Sequence, residues 1–381
     1  MRIAFLYVDA GKGHLTPAIA LSDAFQRLGH ATIVENLLLV CKAPVFNWMS
    51  KHNWRFLLHF PKLEHVVDSN SDVPVNARSI RFAATHFHGV KDFKEWYDRE
   101  KPECIVITHF AGANIITPIV KKLHLDIPVF VYAADVFFNL KVGVNPQLDK
   151  LYICTQIGRD IVIHNGQPAN TIKICPFPLK SSIQLFTPLT QKEARLKLGL
   201  KDQFTVLLNL GGEGIGNTDF LEEVVKRKLP WQVVTVGKLS KSTAQNYKRF
   251  RKKHPDFNLR TPGFVDNINE YICACDVQAG KAGANALMES LYLKRPFLVS
   301  ELLYTALPTK EFMALYAVGW TENDVKKQVS ILQSYYQDTN AQKIMSQRFS
   351  TLPMTFDSDA FAKMIISDIE EYHLKKSHHK G

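Results

Sequence analysis

The chain has 381 residues, of which 46% are hydrophobic and 22% charged, and a formal net charge of +11. That length calls for two domains of roughly 150–200 residues rather than one core, and the composition excludes a disordered chain. The positive excess suits nucleic acid, an anionic membrane surface or a phosphorylated substrate without choosing among them.

No apolar run approaches the ~20 residues needed to span a bilayer, so a membrane would be met from the side. Six cysteines are scattered, and only Cys273 and Cys275 are close. That is a poor metal or disulfide signature and points to a reducing, cytosolic setting. A strand feeding a turn, with no basic leader before it, argues against export.

The first predicted strand covers residues 3–8 and leaves through DAGKGH into a helix over 17–28, with a second strand over 31–35. Residues 41–67 mix Trp48, Trp54, Phe56, Leu57, Leu58 and Phe60 with Lys42, Lys51, Arg55 and Lys62. The mixture suits the interface of an anionic bilayer. It equally suits helices packed on their own domain, with lysines reaching out to water. Strands over 104–108, 129–133 and 150–154 complete a βα rhythm that predicts a parallel sheet covered by helices.

Pro176, Pro178 and Pro188 mark a linker. Beyond it the rhythm repeats, with strands over 204–209 and 231–236, helices over 218–228 and 243–253, and shorter strands at 258–260, 277–278 and 296–299. An amphipathic helix over 357–372 precedes a frayed basic tail. The basic stretches 226–228 and 248–254 read as surface helix faces, because no aromatic-lined groove or zinc module accompanies them.

Three turns face a ligand in this reading. In the first, Gly11 and Gly13 permit close approach of the backbone, and the following helix offers N–H groups to an anion. His14 stands at the helix entrance, as a site residue or as a capping one. The turn is neither the dinucleotide fingerprint nor a P-loop. The second turn exposes the backbone of Gly211, Gly212, Glu213 and Gly214 above a strand end, where open α/β sheets bind ligands. In the third, KAGANALMES, Lys281, Gly283 and small residues let a ligand approach a helix start. Glu289 within it can accept bonds from a ribose diol or stand as a surface charge.

The order GGEGIG, PGFVDNINEYICACD, KAGANALMES resembles the C-terminal domain of the UDP-sugar-dependent diacylglycerol glycosyltransferases. Monogalactosyldiacylglycerol synthase and the diacylglycerol glucosyltransferases belong to that family, and the peptidoglycan lipid-intermediate N-acetylglucosaminyltransferase is a more distant relative. DAGKGH resembles their glycine-rich turn ending in histidine, PECIVITH the strand ending at His109, and YAAD the strand ending at Asp135. The likeness is strong over 204–290 and loose over 40–100 and after 315.

The resemblance implies an α/β fold of GT-B type, with two Rossmann-like domains facing a central cleft. Residues 1–178 would form the acceptor-side domain, 179–190 a linker and 191–350 the nucleotide-sugar-binding domain. Residues 351–381 would be a helix returning toward the N-terminal domain, with a basic tail. It also implies inverting transfer of a hexose from UDP-glucose or UDP-galactose to a membrane lipid alcohol, diacylglycerol above all. Gly211, Gly212, Glu213 and Gly214 would lie near the diphosphate, Phe264 and Val265 at the uracil, and Glu289 at the ribose. Lys281 and Gly283 would lie beneath the nucleotide, and Glu311 near the sugar. His14, beside Gly11 and Gly13, would face the acceptor as one base candidate, with His109 and Asp135 as the others.

The chain departs from the family at Ala284 and Asn285, where proline and glycine are common, and at Lys310, where glutamine is typical. The segment after Asp135 lacks the family's histidine and tryptophan. These departures leave open a different acceptor, such as a polyprenyl-linked sugar or a small molecule, and a non-catalytic UDP-sugar-binding protein. No DxD pair is evident, and Asp98 and Asp126 stand alone in sequence. Transfer is therefore expected to be metal-independent, with no cofactor beyond the donor, by an enzyme at the cytoplasmic face of an anionic membrane.

Overall fold

The computed structural model describes residues 1–86, 89–137, 140–211, 218–281 and 283–378. It consists of two compact units, Met1–Gln184 with Pro353–Gly381, and Leu185–Leu352.

Unit 1 is built on β1 (Arg2–Tyr7), β2 (Ala31–Asn36), β3 (Cys104–Ile107), β4 (Val129–Tyr132), β5 (Lys150–Ile153) and β6 (Ile172–Ile174). They form one sheet in the order β2-β1-β3-β4-β5-β6, every pair parallel. Helices cover both faces of such a sheet, so its inner strands are apolar throughout. CIVI and VFVY are accordingly buried at every position. One face packs Leu6, Ile105, Ile107, Val131 and Ile153 against Phe93 and Trp96.

On unit 1 the helix Ser358–His378 packs against the helix Lys12–Arg27. Phe361 meets the rings of Tyr132 and Tyr152 at 5.4 and 5.1 Å. The buried carboxylate of Asp368 accepts from the Tyr152 hydroxyl and pairs with Lys173, both at 2.7 Å. The expected frayed tail is corrected over residues 373–378, where the helix continues to His378, while residues 379–381 lie outside the described residues. Lys376 pairs with Asp126 and lies over the Tyr372 ring, and this docking gives the last turns a partner that a free tail lacks. Asp98 pairs with Lys94 one helical turn away.

Unit 2 is built on β7 (Thr205–Asn209), β8 (Gln232–Val236), β9 (Leu259–Gly263), β10 (Val277–Lys281), β11 (Phe297–Glu301) and β12 (Gly319–Thr321). Their order is β12-β11-β10-β7-β8-β9, again wholly parallel. The two cores on its faces centre on Trp231, Tyr247 and Phe250, and on Leu207, Val234 and Ile272.

Gln278 stands inside β10, fully buried, and neither amide atom finds a hydrogen-bond partner among the described residues. An unmatched buried polar group costs about 1–3 kcal/mol. Gln278→Met, which keeps an unbranched shape, is therefore expected to raise the urea midpoint of unfolding; an unchanged or lower midpoint would show that the amide is satisfied.

Candidate active site

In unit 1 the strands β1, β3 and β4 are neighbours, and the chain segments leaving their C-terminal ends carry His14, His109 and Asp135. This is the edge at which open parallel sheets bind ligands. The helix after β1 starts at Lys12, five residues before the expected start, so His14 lies in its first turn and Pro17 lies inside it. Gly11 caps the helix at φ +79°. A Cβ there would come within 2.6 Å of the Trp54 indole nitrogen, whereas one on Gly13 would meet nothing. Lys51 reaches back to Asp9 at 2.8 Å, which ties the helix Pro44–Leu57 to the same turn.

His14 is nearly buried, and its Nδ1 lies 2.7 Å from the Thr108 carbonyl oxygen. A carbonyl only accepts, so Nδ1 carries a proton, and in the neutral ring Nε2 then holds the lone pair. The Thr108 hydroxyl donates in turn to the His14 carbonyl at 2.7 Å. The His109 ring meets His14 edge to face, with centroids 4.4 Å apart, and stacks on Phe110 at 4.2 Å. Its Nδ1 accepts the Ala111 N–H at 3.2 Å, which leaves the ring proton on Nε2. Burial, with His14 adding to it, pushes the His109 pKa well below its usual value. The two imidazoles thus offer opposite functions, a lone pair on His14 and a neutral N–H on His109.

Burial raises the Asp135 pKa, with His14 acting against the shift and Asp68 adding to it. Asp68, on the helix Pro61–Ser71, is itself raised by burial. Neither Asp68 nor Thr108 was legible as a site residue. The only hint for Thr108 is a polar residue closing an apolar run beside a histidine.

In unit 2 the expected donor residues gather at the C-terminal ends of adjacent strands. Gly211, at φ +63°, follows β7 and receives the Asn209 side-chain oxygen on its N–H at 3.0 Å. Gly212, Glu213 and Gly214 lie outside the described residues. Lys281 ends β10 beside a register shift and pairs with Glu301 at the end of β11, 2.7 Å away. Gly283 caps the helix Ala284–Tyr292, and Glu289 inside that helix is 5% exposed, which removes the reading of Glu289 as a surface charge.

After β9, Phe264 projects outward, 64% exposed, while Val265 packs on the core beside Ile268. Glu311 is exposed in the first turn of the helix Thr309–Tyr316. Sequence reasoning missed Gly237, which follows β8 at φ +118° and donates its N–H to the Gly263 carbonyl at 2.9 Å.

No family model matches the chain. It is 22% identical over 374 residues to a processive diacylglycerol beta-glucosyltransferase of Bacillus pumilus, covering 96% of this chain and 94% of that one. It is 24% identical over 315 residues to the chloroplastic monogalactosyldiacylglycerol synthase 2 of Arabidopsis thaliana, covering 79% of this chain and 66% of that one. Among solved structures it is similar to Acinetobacter baumannii MurG, with a TM-score of 0.61 at 11% identity over 97% of this chain and 99% of that one. It is also similar to Anabaena Alr3699/HepE, solved in complex with UDP and glucose, with a TM-score of 0.55 at 14% identity over 97% and 99%. Those two likenesses show the fold, and the sequence relatives bring the activity class. By both, the chain is a glycosyltransferase of GT-B type, similar along nearly its whole length to the diacylglycerol glycosyltransferases.

Proposed function

We propose that the chain transfers a hexose with inversion from UDP-glucose or UDP-galactose to a membrane lipid alcohol, diacylglycerol above all, at the inner face of a membrane. The observation that carries this reading is the His14 Nδ1–H held on the Thr108 carbonyl, which in the neutral ring leaves Nε2 as the lone-pair nitrogen, beside the Nε2–H of His109. In this mechanism His14 Nε2 takes the proton of the acceptor hydroxyl as its oxygen attacks the anomeric carbon. The bond from that carbon to the diphosphate breaks, and its electron pair leaves on UDP. A single displacement inverts the carbon.

His109 donates a hydrogen bond without gaining charge, and the Asp135 carboxylate stabilises the imidazolium formed on His14. Backbone N–H groups at the Gly211 turn and the helix start at Gly283 meet the charge developing on the diphosphate. Glu289 takes the ribose hydroxyls, and Phe264 and Val265 hold the uracil.

A lipid acceptor needs a route to the membrane, and residues 41–67 supply one. Trp48, Phe56 and Phe60 are each at least half exposed, with Arg55 and Lys62 exposed among them. Aromatic and cationic side chains together favour an anionic interface. Leu57 and Leu58 are instead buried, and Trp54 packs over Gly11. The segment is thus divided, its packed residues fitting helices on their own domain and its exposed ones supporting the proposed membrane contact. Among the described residues no helix is long and apolar enough to cross a membrane.

The test incubates the protein with liposomes of diacylglycerol and anionic lipid and either UDP-sugar, then examines the lipids by mass spectrometry. Hexosyl-diacylglycerol is expected. UDP binding without a lipid product would point to another acceptor, and no UDP binding would overturn the donor-site reading. Trp48→Ser with Phe56→Ser and Phe60→Ser is expected to weaken liposome binding roughly tenfold or more, since each aromatic forfeits apolar burial, while UDP binding stays unchanged. Undiminished liposome binding would move the membrane contact elsewhere.

A further inference from the structure

Thr108 is completely buried and makes three hydrogen bonds, two of them to the candidate base. Its N–H donates to the Leu6 carbonyl at 3.0 Å, which carries the pairing of β1 and β3 one residue beyond the strand. Its carbonyl accepts from His14 Nδ1, and its hydroxyl donates to the His14 carbonyl, both at 2.7 Å. Ring and main chain of His14 are thus tied to one residue of the sheet.

The helix turn that carries His14 needs such a tie. Pro17 lies inside the helix and has no N–H to give to the Gly13 carbonyl four residues earlier. Gly11 and Gly13 flank Lys12 at the helix start, and glycine there loses more conformational freedom on ordering than any other residue. A first turn short of one helical bond and rich in glycine is poorly fixed by its own chemistry. A hydrogen bond to the Thr108 carbonyl alone would orient the ring while leaving its backbone free to shift. The hydroxyl supplies the second point.

We infer that Thr108 is a positioning residue for the transfer step, holding the turn beneath His14 through its hydroxyl and the Nδ1–H tautomer through its carbonyl. This rests on the reading of His14 as the base. It does not need Thr108 to touch either substrate.

Thr108→Val removes the hydroxyl at constant shape and leaves the carbonyl, and Thr108→Ser restores the hydroxyl. Misplacement of a reacting group by about 1 Å costs on the order of a hundredfold, so the Val variant is expected to lose roughly ten- to a hundredfold in kcat. Its KM for the UDP-sugar should stay within about twofold, because uniform binding is untouched. The Ser variant is expected to recover most of the loss. In a His14→Ala background, Thr108→Val should lower the residual rate no further, because residues acting as a unit are not additive.

Wild-type kcat in Thr108→Val, a Ser variant as slow as the Val variant, or an additive loss on His14→Ala would each overturn the inference. Those results with kcat of His14→Ala lowered as expected sink the positioning role alone. Full activity in His14→Ala removes the base reading and the positioning role together.

Discussion

Replacing His14 with alanine is expected to lower kcat by about 10²–10⁴-fold, the usual contribution of a positioned general base, while UDP affinity remains that of the unaltered protein. The expectation follows from which nitrogen of each ring is occupied. His14 donates a hydrogen bond from Nδ1 to the Thr108 carbonyl, so in the neutral ring its other nitrogen is the basic one. His109 receives the Ala111 N–H on Nδ1, so its other nitrogen is protonated and cannot take a second proton while the ring is neutral. Burial moreover holds His109 in its neutral form. A carboxylate is the remaining candidate, but burial raises the Asp135 pKa, and its interaction with His14 suits it to stabilising the imidazolium. Single-turnover kinetics with calorimetric UDP titration separates the outcomes. A His14→Ala enzyme with unaltered kcat would hand the base role to one of the other two.

Much of this arrangement was legible in the sequence because buried parallel strands read as short apolar runs. Those over 104–108, 129–133 and 150–154 match β3, β4 and β5 to within a residue. The strands that escaped, β6 and β12, are three residues each and lie at an edge of their respective sheets, too short to show a period. The first helix was placed late for a physical reason. Proline is favoured at a first helical position, and two glycines before it read as loop. The chain starts the helix earlier because Gly11 can adopt the left-handed cap and the sheet ties down the first turn.

Strand order is what a sequence does not carry. The candidates at 14, 109 and 135 are separated by dozens of residues, and only the order β1-β3-β4 makes the ends of their strands adjacent. Thr108 stands inside PECIVITH without being singled out by it and Gly237 belongs to no motif, and their roles exist only in their neighbours. The aromatic–basic segment was ambiguous because helix faces divide it, with Trp54 inward over Gly11 and Trp48 out to solvent.

Gly237→Ala is the complementary expected result, a loss of UDP affinity of tenfold or more by about the strain it imposes. Gly237 sits at φ +118°, where an L side chain is strained by itself at a cost of about 1–3 kcal/mol. A Cβ added there would lie 2.7 Å from the Gly211 carbonyl oxygen and 3.0 Å from its nitrogen. Both are backbone atoms, so no flexible side chain can swing aside, and the turn after β7 must move. That turn is held from the same side, because the Lys238 N–H donates to the Gly211 carbonyl at 3.1 Å. On its other side Gly237 donates to Gly263, which precedes Phe264.

One methyl group therefore displaces the proposed diphosphate grip and disturbs the approach to the uracil site, with no change to the unit that holds His14. Relief of that strain by movement of the Gly211 turn must be undone when UDP binds. Since about 1.4 kcal/mol is tenfold in affinity, a strain in the middle of that range accounts for the expected loss. His14→Ala should fail in turnover with UDP bound, and Gly237→Ala in binding with the base intact. Calorimetry showing wild-type UDP affinity in Gly237→Ala would place the diphosphate away from the Gly211 turn.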